Sequence, residues 1–250
     1  MPSGPLGKGY LTGKVDEAMA AIDTVLKKNP KDLGALEGKF KILVYRKDWD
    51  GALAVTEQIK TALPEAVQGY HFAGLVQQAK GNLEASIGEF QSALDRAPTA
   101  VEPLSQMIKS HLALKQQDKA IAKLKEVASK VDKHFVAHNL LGEIYLANKK
   151  FDDAATEFKT AIEQSPKWPI PYRNLATVYA STKRGDDAVA VMKDGIEKTG
   201  GQPLLVTALA SYLEQTGKLD EAIDQYERAL KDKPDSQLAR NNLAMLLIEY

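Results

Sequence analysis

Apolar residues recur along this chain at helical spacing, in pairs of segments that short polar breaks separate. In residues 138–168, Leu141 and Tyr145 precede the polar letters "ANKK", and Phe158 follows them. Spacings of three and four residues place apolar side chains on one face of a helix. Residues 206–236 repeat the same order with different polar residues. The pattern therefore predicts helical hairpins.

The hairpins return with a period of 34 residues, and no insertion interrupts it. Proline occupies one position of this period at Pro30, Pro64, Pro98, Pro166 and Pro234. Twelve residues earlier a small residue stands in every period: Ala18, Ala52, Ser86, Ala120, Ala154, Ala188 and Ala222. Proline ends a helix, and small residues let two helix backbones approach closely. Because one hairpin cannot bury its own apolar face, the period predicts a stack of hairpins, which is a solenoid.

This pattern resembles the tetratricopeptide repeat family, whose repeat reads as a large residue, Leu-Gly, Tyr, Ala, an aromatic residue and Pro. Residues 135–168 match at Leu141, Gly142, Tyr145, Ala154, Phe158 and Pro166. The repeat at 33–66 departs from the pattern, with Phe40 at the glycine position and Thr56 at the aromatic position. The resemblance implies an all-α, right-handed superhelical solenoid of helix-turn-helix repeats that binds protein or peptide partners.

The period also sets the expected domain organisation. We expect residues 1–13, which begin "MPSGPLG", to be a disordered leader or the scar of a removed tag, and residues 14–250 to form a single solenoid. That solenoid would contain a half repeat at 14–32, six full repeats over 33–236 and a half repeat at 237–250.

Composition excludes several classes of function. Lys and Arg number 33, as do Asp and Glu, so the net charge of zero gives no reason to expect a nucleic-acid partner. The absence of cysteine excludes disulfides and thiolate metal sites. No apolar run reaches about 18 residues, so we expect no transmembrane segment. The composition fits a cytoplasmic and a periplasmic or envelope-associated location equally.

The last residues, "LARNNLAMLLIEY", carry a second and shorter resemblance. Similar endings occur in bacterial repeat proteins of the cell envelope and of polysaccharide export, including the lipoprotein of the PEP-CTERM sorting system. We take this ending as an indication of bacterial origin and of nothing more specific.

Few residues suggest chemistry. His134 and His138 are four residues apart, a spacing that can hold zinc on a helix, but His138 occupies the large packing position and no carboxylate pattern accompanies the pair. His111 occupies the position of a packing tyrosine. No nucleophile–base arrangement or phosphate loop is recognisable. We therefore expect no metal, no cofactor and no enzymatic activity.

The family resemblance implies that first helices form a concave wall. Carried over by repeat position, the expected groove residues are Lys41, Tyr45, His71, Lys109, Asn139, Glu143, Arg173, Thr177 and Ser211. The lysine and asparagine set with which some family members clamp a C-terminal carboxylate is incomplete here, so we do not expect that activity. Apolar residues on the same helix faces are also explained by hairpin packing. If the groove is not used, it is the solvated side of the stack, and His71 is then a solvated side chain.

The ends of the chain suggest an alternative function. The predicted array begins with a second helix and finishes with a first helix that is apolar around much of its surface. Leu243, Leu246 and Leu247 could contact Ile22 of a second molecule in a head-to-tail manner. Sticky ends of a shortened array explain the same pattern. A third hypothesis is a regulatory segment of a larger enzyme or envelope protein.

Overall fold

Helices account for all regular structure in the part of the chain that the structure describes. The computed structural model describes the backbone of residues 5–232 and 234–249, and the side chains of residues 13–231, 234–237 and 239–248. Fourteen helices and no strand occur within these residues. They are α1 (Pro5–Lys28), α2 (Leu33–Tyr45), α3 (Trp49–Ala62), α4 (Val67–Ala79), α5 (Leu83–Arg96), α6 (Val101–Ala113), α7 (Gln117–Lys130), α8 (Phe135–Ala147), α9 (Phe151–Gln164), α10 (Pro169–Ser181), α11 (Gly185–Thr199), α12 (Pro203–Gln215), α13 (Leu219–Asp232) and α14 (Gln237–Glu249).

The start of the first helix differs from the expectation. We expected a helix from about residue 14, after a disordered leader, whereas α1 begins at Pro5. Proline is tolerated at the first position of a helix because its missing N–H would have no partner within the helix. The "PSGP" composition therefore does not prevent helix formation over residues 5–13. Residues 1–4 lie outside the described residues.

The chain divides into two compact units within α7. Unit 1 ends at Ala120 and unit 2 begins at Ile121. In unit 1 each helix from α1 to α6 packs on the next, and α4 also contacts α6. In unit 2 the same holds from α8 to α14, and α10 contacts both α8 and α12. In each unit, first helices of neighbouring hairpins therefore lie side by side and form one wall.

A left-handed residue ends the first helix of each hairpin. Lys149 has φ 56°, and the N–H of the next residue, Lys150, donates to the carbonyl of Tyr145 at 2.9 Å. This bond pattern satisfies the last carbonyls of the helix. The residues one period apart, which take the same conformation, are Lys47, Gly81, Lys115, Lys183 and Gly217. The polar breaks of the sequence are therefore turns of a single type.

Helices within a hairpin approach closely where a small residue faces a large one. A Cβ atom added to Gly142 on α8 would lie 2.6 Å from the Phe158 ring on α9. Gly74 and Phe90 are related in the same way two repeats earlier, in unit 1. In the first full repeat the sizes are exchanged, because Phe40 and Thr56 are both buried at these positions. The departure of that repeat from the family pattern is therefore an exchange of large and small residues.

Candidate functional site

Two buried asparagines join neighbouring first helices in unit 2. Asn139 on α8 is 3% exposed and Asn174 on α10 is 7% exposed. The Asn174 amide donates to the Asn139 Oδ1 atom and to the Glu143 Oε1 atom, both at 3.1 Å. The Asn139 amide donates to the same Glu143 oxygen at 2.8 Å. Buried amides require such partners, so this network fixes α10 against α8.

The network reaches the surface through two charged residues. The Arg173 Nη2 atom donates to the Asn174 Oδ1 atom at 3.3 Å. Both Arg173 and Glu143 are exposed, whereas the amides beneath them are not. An arginine guanidinium has five N–H donors in a planar fork. Arg173 therefore retains donor capacity for a carboxylate or carbonyl outside the chain.

A cleft of about 390 Å³ continues from Arg173 between α10 and α12. Its lining includes the predicted residues Arg173, Thr177 and Ser211. The lining residues that sequence reasoning did not place in the groove are Ala176, Ala180, Met192, Ala208, Tyr212 and Gln215. The cleft thus combines an apolar surface of alanine and methionine with hydroxyl, amide and guanidinium groups.

The lining of this cleft offers both hydrogen-bond donors and hydrogen-bond acceptors. Thr177 donates its hydroxyl proton to the Arg173 carbonyl at 3.1 Å, which leaves the hydroxyl oxygen as an acceptor. Among the described residues, the lining contains no histidine, cysteine, aspartate or glutamate, and Tyr212 adds a phenol hydroxyl.

The predicted groove residues of unit 1 do not form a comparable cluster. Tyr45 is 66% exposed, and Lys41 and Lys109 are also exposed. His71 differs from the expectation of a solvated side chain. Its ring packs near Phe72 and Phe90, with centroids 5.9 and 5.8 Å away, and its Nδ1 atom is buried without a hydrogen-bond partner among the described residues. Burial lowers the pKa of His71, while the Glu102 carboxylate opposes that shift.

The remaining histidines have structural partners. The His134 Nδ1 atom caps α8 by accepting from the Ala137 N–H at 3.2 Å. The His138 Nδ1 atom lies 2.7 Å from the Glu157 carboxylate on α9. His111 is buried and its Nδ1 atom lies 3.0 Å from the Gln116 side-chain oxygen. Within the described residues no three ligand-type side chains gather around a common point.

The predicted end-to-end residues are only partly exposed. Leu246 is 2% exposed and packs within unit 2. Contrary to our expectation, it is therefore not available to a second molecule. Leu243 is half-buried, whereas Leu247 is 59% exposed. Ile22 is half-buried and packs over Gly38, at 3.0 Å from where a Cβ atom would lie. The sequence shows that α14 has several apolar residues, but it does not show which side of α14 packs on α13.

Solved structures with the same hairpin architecture resemble this chain. A thermophilic tetratricopeptide repeat protein of Thermus thermophilus is 25% identical with a TM-score of 0.53, over 73% of this chain and 100% of that chain. The C-terminal part of a repeat-containing protein of Cytophaga hutchinsonii is 17% identical with a TM-score of 0.57, over 94% of this chain and 96% of that chain. No curated protein sequence matches this chain.

Stacked helical hairpins with a polar cleft between first helices define a helical-repeat protein of the interaction-scaffold class. Models of the tetratricopeptide repeat match residues 106–169, 145–212 and 203–246, which together span more than half of the chain. The chain belongs to the tetratricopeptide repeat family, and the predicted all-α solenoid fold is confirmed. Among the described helices, none has the length and apolar character that crossing a bilayer requires.

Proposed function

We propose that this protein is a non-enzymatic scaffold that binds an extended segment of a partner protein along the α10–α12 cleft. The observation that carries the proposal is the cleft itself, in which Arg173, Thr177 and Ser211 line one surface. Arg173 would pair with an acidic side chain or a terminal carboxylate, because a guanidinium binds carboxylates in a two-pronged manner. Thr177 and Ser211 would form hydrogen bonds with main-chain groups of the segment.

The buried hydrogen-bond network of Asn139 and Asn174 holds the helices that carry this site. Asn139 and Asn174 hold α8 and α10 at a fixed distance and orient Arg173 through its bond to Asn174. Preorganised side chains lower the entropy cost of binding. Alanine at Asn139 would also lower stability. It would leave buried Asn174 with one partner fewer, at about 1–3 kcal/mol.

The decisive variant is therefore Arg173→Ala, because Arg173 is exposed and its loss leaves the helix packing intact. A phage-displayed library of random peptides supplies the ligands, and fluorescence polarisation measures the affinity of each selected peptide. We expect selected peptides to be rich in Asp and Glu and to bind Arg173→Ala about tenfold or more weakly, a loss of about 1.4 kcal/mol. Lys125→Ala, which removes an exposed cation on α7, is the matched control and should bind as the wild type does.

Two results would refute the peptide site. One is a library that yields no enriched sequence. The other is a set of enriched peptides that bind the wild type and Arg173→Ala equally while both proteins melt at the same temperature.

An alternative function is self-association through α14. Met245, Leu247 and Ile248 are exposed apolar residues on this helix, and such residues commonly mark interfaces. Sedimentation velocity over a concentration series distinguishes a monomer from an assembly. Leu247→Glu should abolish association without unfolding the protein, because Leu247 is exposed. A wild type that sediments as a monomer at every concentration removes this alternative.

A further inference from the structure

A second cavity in unit 2 has no role in the proposed peptide site. It measures about 570 Å³, opens between α11, α12, α13 and the start of α14, and shares no lining residue with the α10–α12 cleft. Ile196, Val206 and Ala229 contribute apolar surface, and Lys193, Glu197 and Arg228 contribute charge. Cavities of this size and mixed lining are typical of ligand sites.

The corresponding space one repeat earlier is narrowed by a tyrosine. Tyr172 is fully buried, and its ring packs so closely on α11 that a Cβ atom at Gly195 would lie 2.7 Å from it. The Tyr172 hydroxyl donates to the Pro166 carbonyl at 2.9 Å. The cavity that remains beside Tyr172 measures only about 320 Å³.

One period later, both members of this pair are small. A step of 34 residues takes Tyr172 to Val206 and Gly195 to Ala229, and both of these residues line the larger cavity. The valine lacks the ring, and the methyl group of Ala229 is too small to replace it. Gly200 and Gly201 line the end of the cavity where the period places the counterpart of the Pro166 carbonyl. The cavity therefore lies where the preceding repeat has the Tyr172 ring, and no ring of this chain fills it among the described residues.

Other repeats show that the pair normally compensates for size. The period pairs a large residue with a small one in Tyr70 with Ala93 and in His138 with Ala161, and two medium residues in Leu36 with Ile59. Among the five pairs whose members belong to the same unit, only Val206 and Ala229 are both small. Protein interiors are close-packed, so a deficit at this position leaves a cavity that a ligand can fill.

The rim of the cavity carries an excess of positive charge. Lys193 is exposed and has no ion pair with any described residue. Arg228 lies 4.0 Å from Asp224, a distance typical of a weak surface pair. Among the described residues of the lining, Glu197 is the one that is acidic. At the position of Arg228, the preceding repeat has Asp194, which pairs with Lys198. Lys159 stands at the position of Lys193 in that repeat, so Arg228 is the cation that distinguishes this cavity from its counterpart.

We propose that this cavity binds a tyrosine or phenylalanine side chain of a partner polypeptide that carries an acidic residue next to it. The aromatic ring takes the repeat position that Tyr172 takes in the preceding repeat but lies farther from α13, because Ala229 has a methyl group where Gly195 has none. Lys193 and Arg228 attract the neighbouring carboxylate. Tyr70 stands at the same repeat position with Ala93 at the paired one, so a phenol ring and an alanine occur together at these positions. The charge excess selects the sequence around the ring.

The test uses the dipeptide acetyl-Tyr-Glu-amide with the whole chain, measured by saturation-transfer NMR and by titration of amide shifts. We expect saturation transfer to the tyrosine ring and about tenfold weaker binding of acetyl-Ala-Glu-amide, a difference of about 1.4 kcal/mol. Val206→Tyr should fill the cavity and weaken binding of acetyl-Tyr-Glu-amide by at least the same factor. Lys193→Glu should weaken it too, but should not weaken acetyl-Tyr-Lys-amide.

Controls keep the result interpretable. Circular dichroism checks that Val206→Tyr is folded, and if it is not, Ala229→Ile replaces it, because isoleucine stands at this position in the first repeat as Ile59. Lys125→Ala, which removes an exposed cation that lines neither cavity, should bind the dipeptide as the wild type does. Absence of transfer to the ring in the wild type, or equal binding by a folded cavity-filling variant, overturns the proposal.

Discussion

The close approach of Gly142 to Phe158 makes Gly142→Ala a sharp test of the helix packing. Alanine normally stabilises a helix relative to glycine by about 0.5–1 kcal/mol. Here the new Cβ atom would lie 2.6, 2.7 and 2.9 Å from three ring atoms of Phe158. Real Cβ atoms do not approach so closely, so either the ring or the helix must move. Overpacking of this kind costs about 1–3 kcal/mol, and the net loss should be about 0.5–2 kcal/mol.

Two further variants show whether the cause is the ring. A Cβ atom added to Gly88 on α5 would have no described atom within 4 Å beyond its chain neighbours and the backbone of its own helix, so Gly88→Ala should raise the free energy of unfolding only through the higher helix propensity of alanine. The double variant Gly142→Ala with Phe158→Met copies the pair at the same positions one repeat later, where Ala176 and Met192 are both buried. It should be more stable than the sum of the two single variants predicts, by roughly 0.5–3 kcal/mol.

Urea denaturation followed by far-UV circular dichroism measures the free energy of unfolding of the wild type, of the single variants Gly142→Ala, Phe158→Met and Gly88→Ala, and of the double variant. A Gly142→Ala variant that is as stable as Gly88→Ala would refute the packing argument, because it would mean that Phe158 does not lie over Gly142. Strict additivity in the double variant would show that the two residues are not in contact.

Three other changes have expected outcomes. His134→Asn should keep the cap on the Ala137 N–H and flatten the pH dependence of stability. Burial lowers the pKa of His134 in the folded state, so its contribution to stability is present above its unfolded pKa of about 6.5 and is lost as the pH falls. Thermal melts of the wild type and the variant from neutral to mildly acidic pH measure this difference. Lys149→Gly should raise the free energy of unfolding in urea by about 0.5–1 kcal/mol, because the strain of a left-handed lysine that is removed exceeds the entropy cost of the more flexible glycine backbone. Gly217→Lys should lower the free energy of unfolding by a similar amount for the same reason. Leu141→Ala should cost about 2–5 kcal/mol by leaving a cavity, and an unchanged urea midpoint would contradict its burial.

The sequence period predicted the helices well because each depends on local signals. The turn residues, the proline after the second helix and the apolar spacing all lie within one repeat, and α14 begins at Gln237 as the period required. The start of α1 was missed because the Gly and Pro letters before residue 14 suggest a break. Composition alone does not show that Pro5 can occupy the first position of a helix.

The groove residues stay a prediction, because no bound partner tests them. Repeat position indicates which side of a helix a residue faces, and Arg173, Thr177 and Ser211, assigned to the groove by that rule, line one cleft. Depth depends on neighbours that position does not specify. Phe72 and Phe90 cover His71, and the packing of α14 covers Leu246. Asn174 is not among the predicted groove residues, although apolar residues three and four positions away, Ile170, Pro171 and Val178, could have indicated that it is buried.

Size compensation between facing positions connects the stability of the hairpins with their binding sites. Where a glycine faces a phenylalanine, or a phenylalanine a threonine, the same space is filled by different residues, and the repeat retains its geometry. Such exchange is visible in the sequence only when two positions are compared along the period. At Val206 and Ala229 the comparison gives a deficit, and the structure has a cavity there. Since close packing is the ordinary condition of a folded chain, an uncompensated pair is a better indication of a ligand site than any single residue in this protein.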